Sequence, residues 1–180
     1  KGYNATSPNP LWYAYYNDQS REDKRLSAFG KLTYRIFDDL KIESQLSTYN
    51  HHYQSNSFQK ANEFNGLRPA SSSFGELKRD KLEIYATYIK GLDDHSLSIM
   101  GGHSYQKDSN QSLGASVDGA SSDKVPTLTA GPNKKDATSN FTQDVTIGYF
   151  GRLTYDFQKK YLLSATFRED ASSRFAKGKQ

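Results

Sequence analysis

Residues 145–167 read VTIGYFGRLTYDFQKKYLLSATF, and this stretch decides the fold. Every second position of its first half carries an apolar residue, an aromatic residue or glycine: Val145, Ile147, Tyr149, Gly151, Leu153, Tyr155 and Phe157. After three polar residues the alternation resumes at Tyr161, Leu163, Ala165 and Phe167. A period of two indicates a β-strand with one apolar face. The stretch therefore predicts two antiparallel strands, 143–157 and 161–168, joined by Gln158-Lys159-Lys160.

The same alternation appears at four earlier places in the chain. It predicts further strands at residues 25–37, 40–53, 81–90 and 95–106. The connections between the six strands alternate in length. The short ones are Phe37-Asp38-Asp39, Gly91-Leu92-Asp93-Asp94 and Gln158-Lys159-Lys160, and the long ones are residues 54–79 and 107–142. The predicted fold is all-β and antiparallel, with three hairpins whose long connections carry no secondary structure.

The lengths of the short connections agree with the register of the strands. A slip of one residue turns every side chain of a strand to the other face, so apolar residues must oppose apolar ones. Three-residue connections let Ile36 face Leu40 and Phe157 face Tyr161. The middle hairpin changes from even to odd apolar positions, and its four-residue connection lets Lys90 face His95.

The composition also favours strands with one apolar and one wet face. Hydrophobic residues make up only 34% of the chain, whereas aromatic residues make up 13% and include 13 Tyr. No apolar run approaches the length of a transmembrane helix, but barrel strands need only about ten residues of alternating character. Short turns at one end and long loops at the other are typical of outer-membrane barrels.

Charge and cysteine content exclude several functional classes. The formal charge of +4 is spread along the chain, so we expect no nucleic-acid partner. Without cysteine there is no disulfide framework, thiol nucleophile or cysteine-ligated metal. The chain begins at Lys1 without a signal peptide and ends at Lys177-Gly178-Lys179-Gln180, so we expect a mature piece or a fragment of a longer protein.

Several motifs resemble those of SusC/RagA-like TonB-dependent transporters. The amino-terminal stretch Asn9-Pro10-Leu11-Trp12, followed by Arg21 to Leu26, resembles the family's Asn-Pro-aromatic segment before a barrel strand. Leu32 to Ile36 with Leu40 to Ile42, and Asp94-His95-Ser96-Leu97 to Gly101-Gly102, resemble two of its hairpins. The clearest match is Gly148 to Asp156, then Lys160 to Thr166, then Arg168-Glu169-Asp170-Ala171-Ser172-Ser173-Arg174-Phe175, with Ala171 where the family often has Gly.

The resemblance implies that residues 1–180 are part of a TonB-dependent-receptor barrel domain of about 22 strands, without its plug and amino-terminal extension. It implies a Bacteroidetes-type outer membrane as the location and nutrient import, such as that of an oligosaccharide or a peptide, as the function. The implied partners are the lipid bilayer, a SusD-like surface lipoprotein, the transported glycan or peptide, and TonB through a region absent here. No enzymatic activity and no cofactor are implied.

Two alternatives remain open from the residues themselves. One is a soluble or cell-surface β-sandwich that binds carbohydrate or mediates adhesion, which would place its polar strand faces in solvent. The other is a passive porin, which would lack a plug. Substrate-binding residues cannot be named from the sequence.

Eight charged residues alternate with the apolar ones: Lys31, Arg35, Lys41, Glu43, Lys81, Glu83, Arg152 and Arg168. In a barrel they would line the lumen, since a Lys or Arg facing lipid near the midplane costs about 2–4 kcal/mol.

The histidines and paired aspartates have structural interpretations. His51 and His52 are adjacent and would point to opposite faces of a strand, whereas His95 lies at a turn and His103 is single, so we expect no metal site. Asp38-Asp39 and Asp93-Asp94 lie at predicted tight turns, where Asp caps backbone donors, so we expect no catalytic carboxylates.

Aromatic residues cluster at two places. Phe37, Phe157 and Tyr161 flank the short turns, where an interfacial girdle would lie. Trp12, Tyr13, Tyr15 and Tyr16 precede the first strand, and for them both a girdle and stacking on a sugar ring remain open.

Overall fold

The computed structural model of the chain describes residues 9–174. A short helix is followed by six strands: α1 (Pro10–Tyr16), β1 (Asn17–Phe37), β2 (Leu40–Gln59), β3 (Ala70–Leu92), β4 (His95–Asp118), β5 (Asn133–Phe157) and β6 (Tyr161–Ser172). A single turn of 3-10 helix (Leu128–Ala130) lies between β4 and β5. Phe175 of the carboxyl-terminal motif and the end at 177–180 lie outside the described residues.

All six strands belong to one antiparallel sheet in the order β1-β2-β3-β4-β5-β6. Each strand pairs with its neighbour in sequence, as expected for three successive hairpins. The prediction of an all-β antiparallel fold with six strands is confirmed. Within residues 9–174, no helix combines the length and the apolar character needed to cross a membrane.

The register of the last hairpin is the one predicted from parity. Phe157 pairs with Tyr161, Tyr155 with Leu163, and so on to Thr146 with Ser172. Gln158 and Lys159 have φ angles of 56° and 54°. The amide of Lys160 donates a hydrogen bond to the carbonyl of Phe157 at 3.0 Å. Positive φ at both central positions is the geometry of a type I′ turn, whose twist matches that of the flanking strands.

Two predicted connections are shorter in the structure. β3 continues through Gly91 and Leu92, so the second turn consists of Asp93 and Asp94 alone, with Asp93 at a φ of 47°. This turn still has an even number of residues, as parity requires. Asp38 and Asp39 alone form the first turn, because β1 continues through Phe37, so this connection has two residues and not the three that parity predicted. The pairings Ile36–Leu40 and Lys90–His95 stay predictions.

The prediction of long structureless loops is wrong in extent. β2 and β3 reach Gln59 and Ala70, and β4 and β5 reach Asp118 and Asn133, so the connections span only residues 60–69 and 119–132. These extensions are rich in Ser, Asn and Lys, and their few apolar residues, such as Phe58 and Val117, do not form a long alternating run. Backbone pairing between strands continues there, but a strand without alternating apolar residues cannot be predicted from hydrophobic periodicity. For the same reason β1 begins at Asn17 and not at Arg25.

The described residues form two compact units. The turn unit consists of Leu26–Asn50, Lys78–Ser109 and residues 143–174, and it contains the three short turns. The loop unit consists of residues 9–25, His51–Leu77 and Asn110–Thr142, and it contains α1 and both longer connections.

Candidate functional site: the two faces of the turn unit

One face of the turn unit carries charged side chains that pair with one another, and we call it the charged face. Glu43 on β2 contacts the ammonium group of Lys31 on β1 and also that of Lys41, at 2.9 Å. Glu43 is only 5% exposed, although it lies in a single-layered sheet. Two cations around one carboxylate supply the compensation that a sheltered charge needs.

The other predicted charged residues of β3, β5 and β6 lie on the same face. Lys81 pairs with Glu83 at 2.8 Å, and the guanidinium of Arg168 donates two hydrogen bonds to Asp170, at 2.7 and 3.0 Å. Glu83, Arg152 and Arg168 line a common hollow. Arg35 is exposed on β1. The charged residues thus lie on one face of the sheet, as the alternation of the sequence predicted.

The hollow on the charged face has a volume of about 480 Å³. Its aromatic part is formed by Tyr85 and Phe150, whose ring centroids lie 6.2 Å apart. The amide of Gln45 donates a hydrogen bond to the hydroxyl of Tyr85 at 2.8 Å. The hollow therefore offers aromatic surface, an amide and two guanidinium groups side by side.

The opposite face of the turn unit is apolar and uncovered, and we call it the apolar face. Leu32 is 71% exposed, Leu163 58% and Ile84 44%. Other large exposed residues on this face are Leu26, Tyr34, Leu46, Tyr88, Ile99, Tyr149, Tyr161 and Phe167. In water each exposed aliphatic side chain forgoes about 1.5–3 kcal/mol of burial. An apolar surface of this extent marks a contact with lipid or protein.

The two faces thus reverse the order found in soluble sheets, where the apolar face is sheltered and the charged face is exposed. Here Glu43 is sheltered, whereas Leu32 and Leu163 are not. The pattern fits a sheet whose apolar face meets hydrocarbon and whose charged face looks into a polar interior.

Aromatic side chains meet near the third turn. The rings of Phe157 and Tyr161 stack with centroids 6.3 Å apart, and His95 lies 4.8 Å from Phe157. The ring nitrogen Nδ1 of His95 is 2.6 Å from the hydroxyl of Tyr155. Phe37 is exposed at the first turn. Amphipathic rings beside the turns are the residues that an interfacial girdle uses, and that assignment stays a prediction.

The histidines are dispersed among separate pairs. In the loop unit His51 lies 2.7 Å from Asp23 and His52 lies 3.5 Å from Glu76. In the turn unit the ring of His103 packs on Tyr149 at 4.9 Å. No group of three metal-ligating side chains occurs within residues 9–174.

The turn aspartates make hydrogen bonds and ion pairs within the turn unit. The ammonium of Lys90 contacts Asp39 at 2.5 Å, and the amide of Ile89 donates to the carbonyl of Asp39. Asp94 accepts two hydrogen bonds from Gln158, one at its carbonyl and one at its carboxylate. These contacts tie neighbouring turns together, in agreement with a structural role.

The aromatic cluster before β1 belongs to a helix that the alternation analysis missed. Asn9 caps α1 by accepting a hydrogen bond from the amide of Leu11 at 3.0 Å, and Pro10 occupies the first turn. This Asn-Pro pair is a recognisable helix start, but seven residues are too few for a visible helical period. Trp12 packs against Tyr16 at 4.8 Å and against Phe64 at 6.3 Å.

A small apolar core lies within the loop unit. Phe58, Ala70, Val117 and Ala120 are buried, with Leu128 and Ala130 packed against them. This core was not predictable from hydrophobic alternation, because its members come from four separate stretches without periodicity. Its presence means that the connection 119–132 packs on Phe58 and Ala70, which lie on the strand ends that flank the connection 60–69.

Asp123 joins these two connections. It accepts hydrogen bonds from the amide of Ala61 at 3.0 Å and from the guanidinium of Arg68 at 2.6 Å. The Ala61 amide, and then Arg68, hold the pKa of Asp123 below its usual range. Lys135, and then Asn133, lower the pKa of Asp118 in the same way.

Comparison with known proteins yields relatives of one kind. The chain is 34% identical over 97 residues to TonB-dependent receptor P3 of Formosa agariphila, a match that covers 53% of the chain and 10% of that receptor. It is 32% identical over 94 residues to TonB-dependent receptor SusC of Bacteroides thetaiotaomicron, covering 52% of the chain and 9% of SusC. No protein-family model matches.

Solved structures extend the likeness to nearly the whole chain. The RagAB peptide transporter superposes with a TM-score of 0.90 at 22% identity, over 98% of this chain and 21% of that one. The RagAB peptide importer in its open-open state gives the same TM-score over 99% of this chain. The chain thus spans about a tenth of the curated relatives and a fifth of the solved chains. At this identity the likeness establishes the fold, a segment of an antiparallel transmembrane β-barrel.

Proposed function

Because the chain has both the sequence motifs and the fold of a SusC/RagA-like barrel segment, we propose that the whole protein is a TonB-dependent transporter of the bacterial outer membrane. It imports a nutrient, an oligosaccharide or a peptide, in a Bacteroidetes-type cell. The observation that carries the proposal is the reversed order of the two faces, with Glu43 sheltered while Leu32 and Leu163 are uncovered.

This segment contributes part of the barrel wall and two outer loops. The apolar face of the turn unit meets lipid, and the charged face lines the lumen. In the closed barrel, where β1 and β6 meet strands beyond this segment, every backbone group of the spanning strands pairs with a neighbouring strand, as a bilayer requires. The strands of the loop unit are polar on both faces over much of their length, for example Arg21 beside Glu22 and His51 beside His52, which suits the water outside the hydrocarbon.

The partners follow from the same proposal. A surface lipoprotein of the SusD type caps the outer loops, and TonB contacts a region beyond this chain. The apolar core and the Asp123 contacts support a loop unit with a fixed shape, which is suited to holding such a cap. The protein has no enzymatic activity of its own.

The β-sandwich alternative is not favoured. A sandwich covers the apolar face of one sheet with a second sheet, whereas all six strands here belong to a single sheet. Nothing observed favours a passive porin over a gated transporter.

Extraction of the full-length protein from isolated envelopes tests the membrane part of the proposal. We expect detergent to release it and carbonate washing to leave it in place, and we expect heating to change its electrophoretic mobility. Release by carbonate alone would sink the proposal.

Cysteine labelling tests the assignment of the faces, since this chain has no Cys. In permeabilised cells Leu163→Cys on the apolar face should resist a water-soluble maleimide. Lys160→Cys in the third turn should react readily. Equal rates at the two positions would contradict a lipid contact for the apolar face. Loss of nutrient uptake on removal of TonB tests the energy coupling.

A further inference from the structure

Arg152 differs from the other basic residues on the interior strands of the charged face, whereas Arg35, which also has no ion pair within the described residues, lies on the edge strand β1. On the interior strands of the turn unit, Lys41, Arg79 and Lys81 each pair with a carboxylate, at 2.9, 2.5 and 2.8 Å. Arg152 has no ion pair with any residue between 9 and 174, and its side chain is exposed. A guanidinium cannot shed its charge at neutral pH, so it must be hydrated or paired from elsewhere.

The missing partner cannot come from a neighbouring strand. Arg152 lies on β5, which has β4 on one side and β6 on the other. Its direct neighbour on β6 is Thr166, and the nearby Arg168 already binds Asp170 through two hydrogen bonds. A carboxylate for Arg152 therefore has to approach from above the charged face.

The surroundings of Arg152 are shaped to receive such a group. Arg152 lines the hollow of about 480 Å³ together with Tyr85, Phe150 and Arg168. The carboxylate of Glu83 also lines this hollow, but Lys81 holds it at 2.8 Å. A planar guanidinium binds a carboxylate through two parallel hydrogen bonds, and the aromatic rings offer surface to the methylene groups of an acidic side chain.

We propose that the hollow beside Arg152 binds an aspartate or glutamate side chain of a polypeptide segment that fills the barrel lumen, and so positions that segment against the wall. The inference rests on the proposed function, because it takes the charged face as the lumen. Barrels of the transporter class have a plugged lumen, so a polypeptide is the partner at hand. The charge complementarity of the unpaired Arg152 argues for an acidic side chain.

Photo-crosslinking in the full-length protein, in outer membranes, tests the inference. p-Benzoylphenylalanine replaces Thr166, which lines the hollow while leaving Arg152 in place. We expect a crosslink to a peptide of the same protein outside residues 1–180, with an Asp or Glu at the attachment site. The matched control places the probe at Ser164, on the same face of β6 but outside the hollow.

Substitution of residue 152 then asks whether the charge holds the segment. Arg152→Glu should reduce the Thr166 crosslink about tenfold, the change expected for loss of about 1.4 kcal/mol. Arg152→Gln should give a smaller reduction, and the Ser164 crosslink should not respond. A Thr166 crosslink that is unchanged in Arg152→Glu, that lies away from any carboxylate, or that joins imported cargo would overturn the inference. Heat-modifiable electrophoretic mobility reports separately on barrel formation. Loss of that mobility shift in the unsubstituted protein would contradict the proposed function and not the inference about Arg152.

Discussion

Tyr85 on β3 packs against Gly102 on β4, so that its Cβ stands where a side chain of residue 102 would have to lie. A Cβ at Gly102 would meet the Cβ of Tyr85, and it would fall 2.7 Å from the carbonyl oxygen of Ile84 and 2.8 Å from the ring of Phe150. Because backbone and two aromatic groups crowd the position, relief requires the strands to shift.

We therefore expect Gly102→Ala to destabilise the protein by about 1–3 kcal/mol, as overpacking does. Gly101 is the matched control, because a Cβ there meets nothing within 4 Å. Urea unfolding of the full-length protein in lipid vesicles measures both. Equal midpoints for Gly101→Ala and Gly102→Ala would show that the aromatic packing over Gly102 is too loose to matter.

Glu43 provides a second test of the charged face. Glu43→Gln leaves Lys31 and Lys41 close together without their shared anion. We expect a loss of about 1–2 kcal/mol, below the full cost of breaking a buried pair because both lysines are partly hydrated. The same unfolding measurement applies.

The control for Glu43→Gln is Glu22→Gln, since Glu22 pairs with Lys24 at 2.9 Å in an exposed setting. That change should alter stability by less than about 0.5 kcal/mol. If both substitutions change the free energy of unfolding by the same small amount, the low exposure of Glu43 does not add to the stability of the protein.

The apolar face predicts a strong asymmetry between neighbours on β6. Ala165 lies on the apolar face and Ser164 on the charged face. Ala165→Arg places a cation in lipid and should destabilise the barrel by about 2–4 kcal/mol, or prevent its assembly, whereas Ser164→Arg should be tolerated. Yield of heat-modifiable protein in the outer membrane measures the difference. Similar yields for the two would argue that the apolar face meets protein or water.

The sequence predicted the turn unit well for a physical reason. Between Gln143 and Phe157 one face is apolar and the other polar, so the period of two is visible without any structure. Parity then fixed the pairing of Phe157 with Tyr161. The charged face was predictable from the same alternation. The ion pairs that individual residues form on it were not, because they depend on the positions of the side chains in the structure.

The loop unit was less predictable because its strands have no such contrast. Ser109, Asn110, Gln111 and Ser112 lie within β4, yet their side chains are polar on both faces. The buried Phe58 and Val117 come from different hairpins, and no local pattern links them. Unpaired Arg152 likewise became visible only when the neighbours on both sides were placed.

Asp123 makes the order of the loops depend on pH. Its pKa is lower in the folded protein than in the unfolded chain, so its contribution is present above the unfolded pKa of about 3.9 and is lost as pH falls through the folded pKa. We expect the Ala61 amide to stay protected from hydrogen exchange at pH 7 and to lose protection below about pH 4.

The substitution Asp123→Ala should remove that protection at neutral pH as well. Asp136→Ala, at an exposed position of β5, is the control and should leave the Ala61 amide unchanged. An amide that exchanges equally slowly in Asp123→Ala would show that the apolar core alone holds the connection.

Lys159 carries backbone strain that a single substitution can relieve. Its φ of 54° costs a residue with a side chain about 1–2 kcal/mol. The local hydrogen bond to the carboxylate of Asp156, at 2.8 Å, is donated by the backbone amide of Lys159, so it does not need the lysine side chain. Lys159→Gly should therefore stabilise the third hairpin by about 0.5–1 kcal/mol after the flexibility of glycine in the unfolded chain is counted. Lys160→Gly is the control, because Lys160 is not among the positive-φ residues, and it should destabilise instead. Opposite shifts in the unfolding midpoint would support the type I′ geometry, and a loss of stability in Lys159→Gly would contradict it.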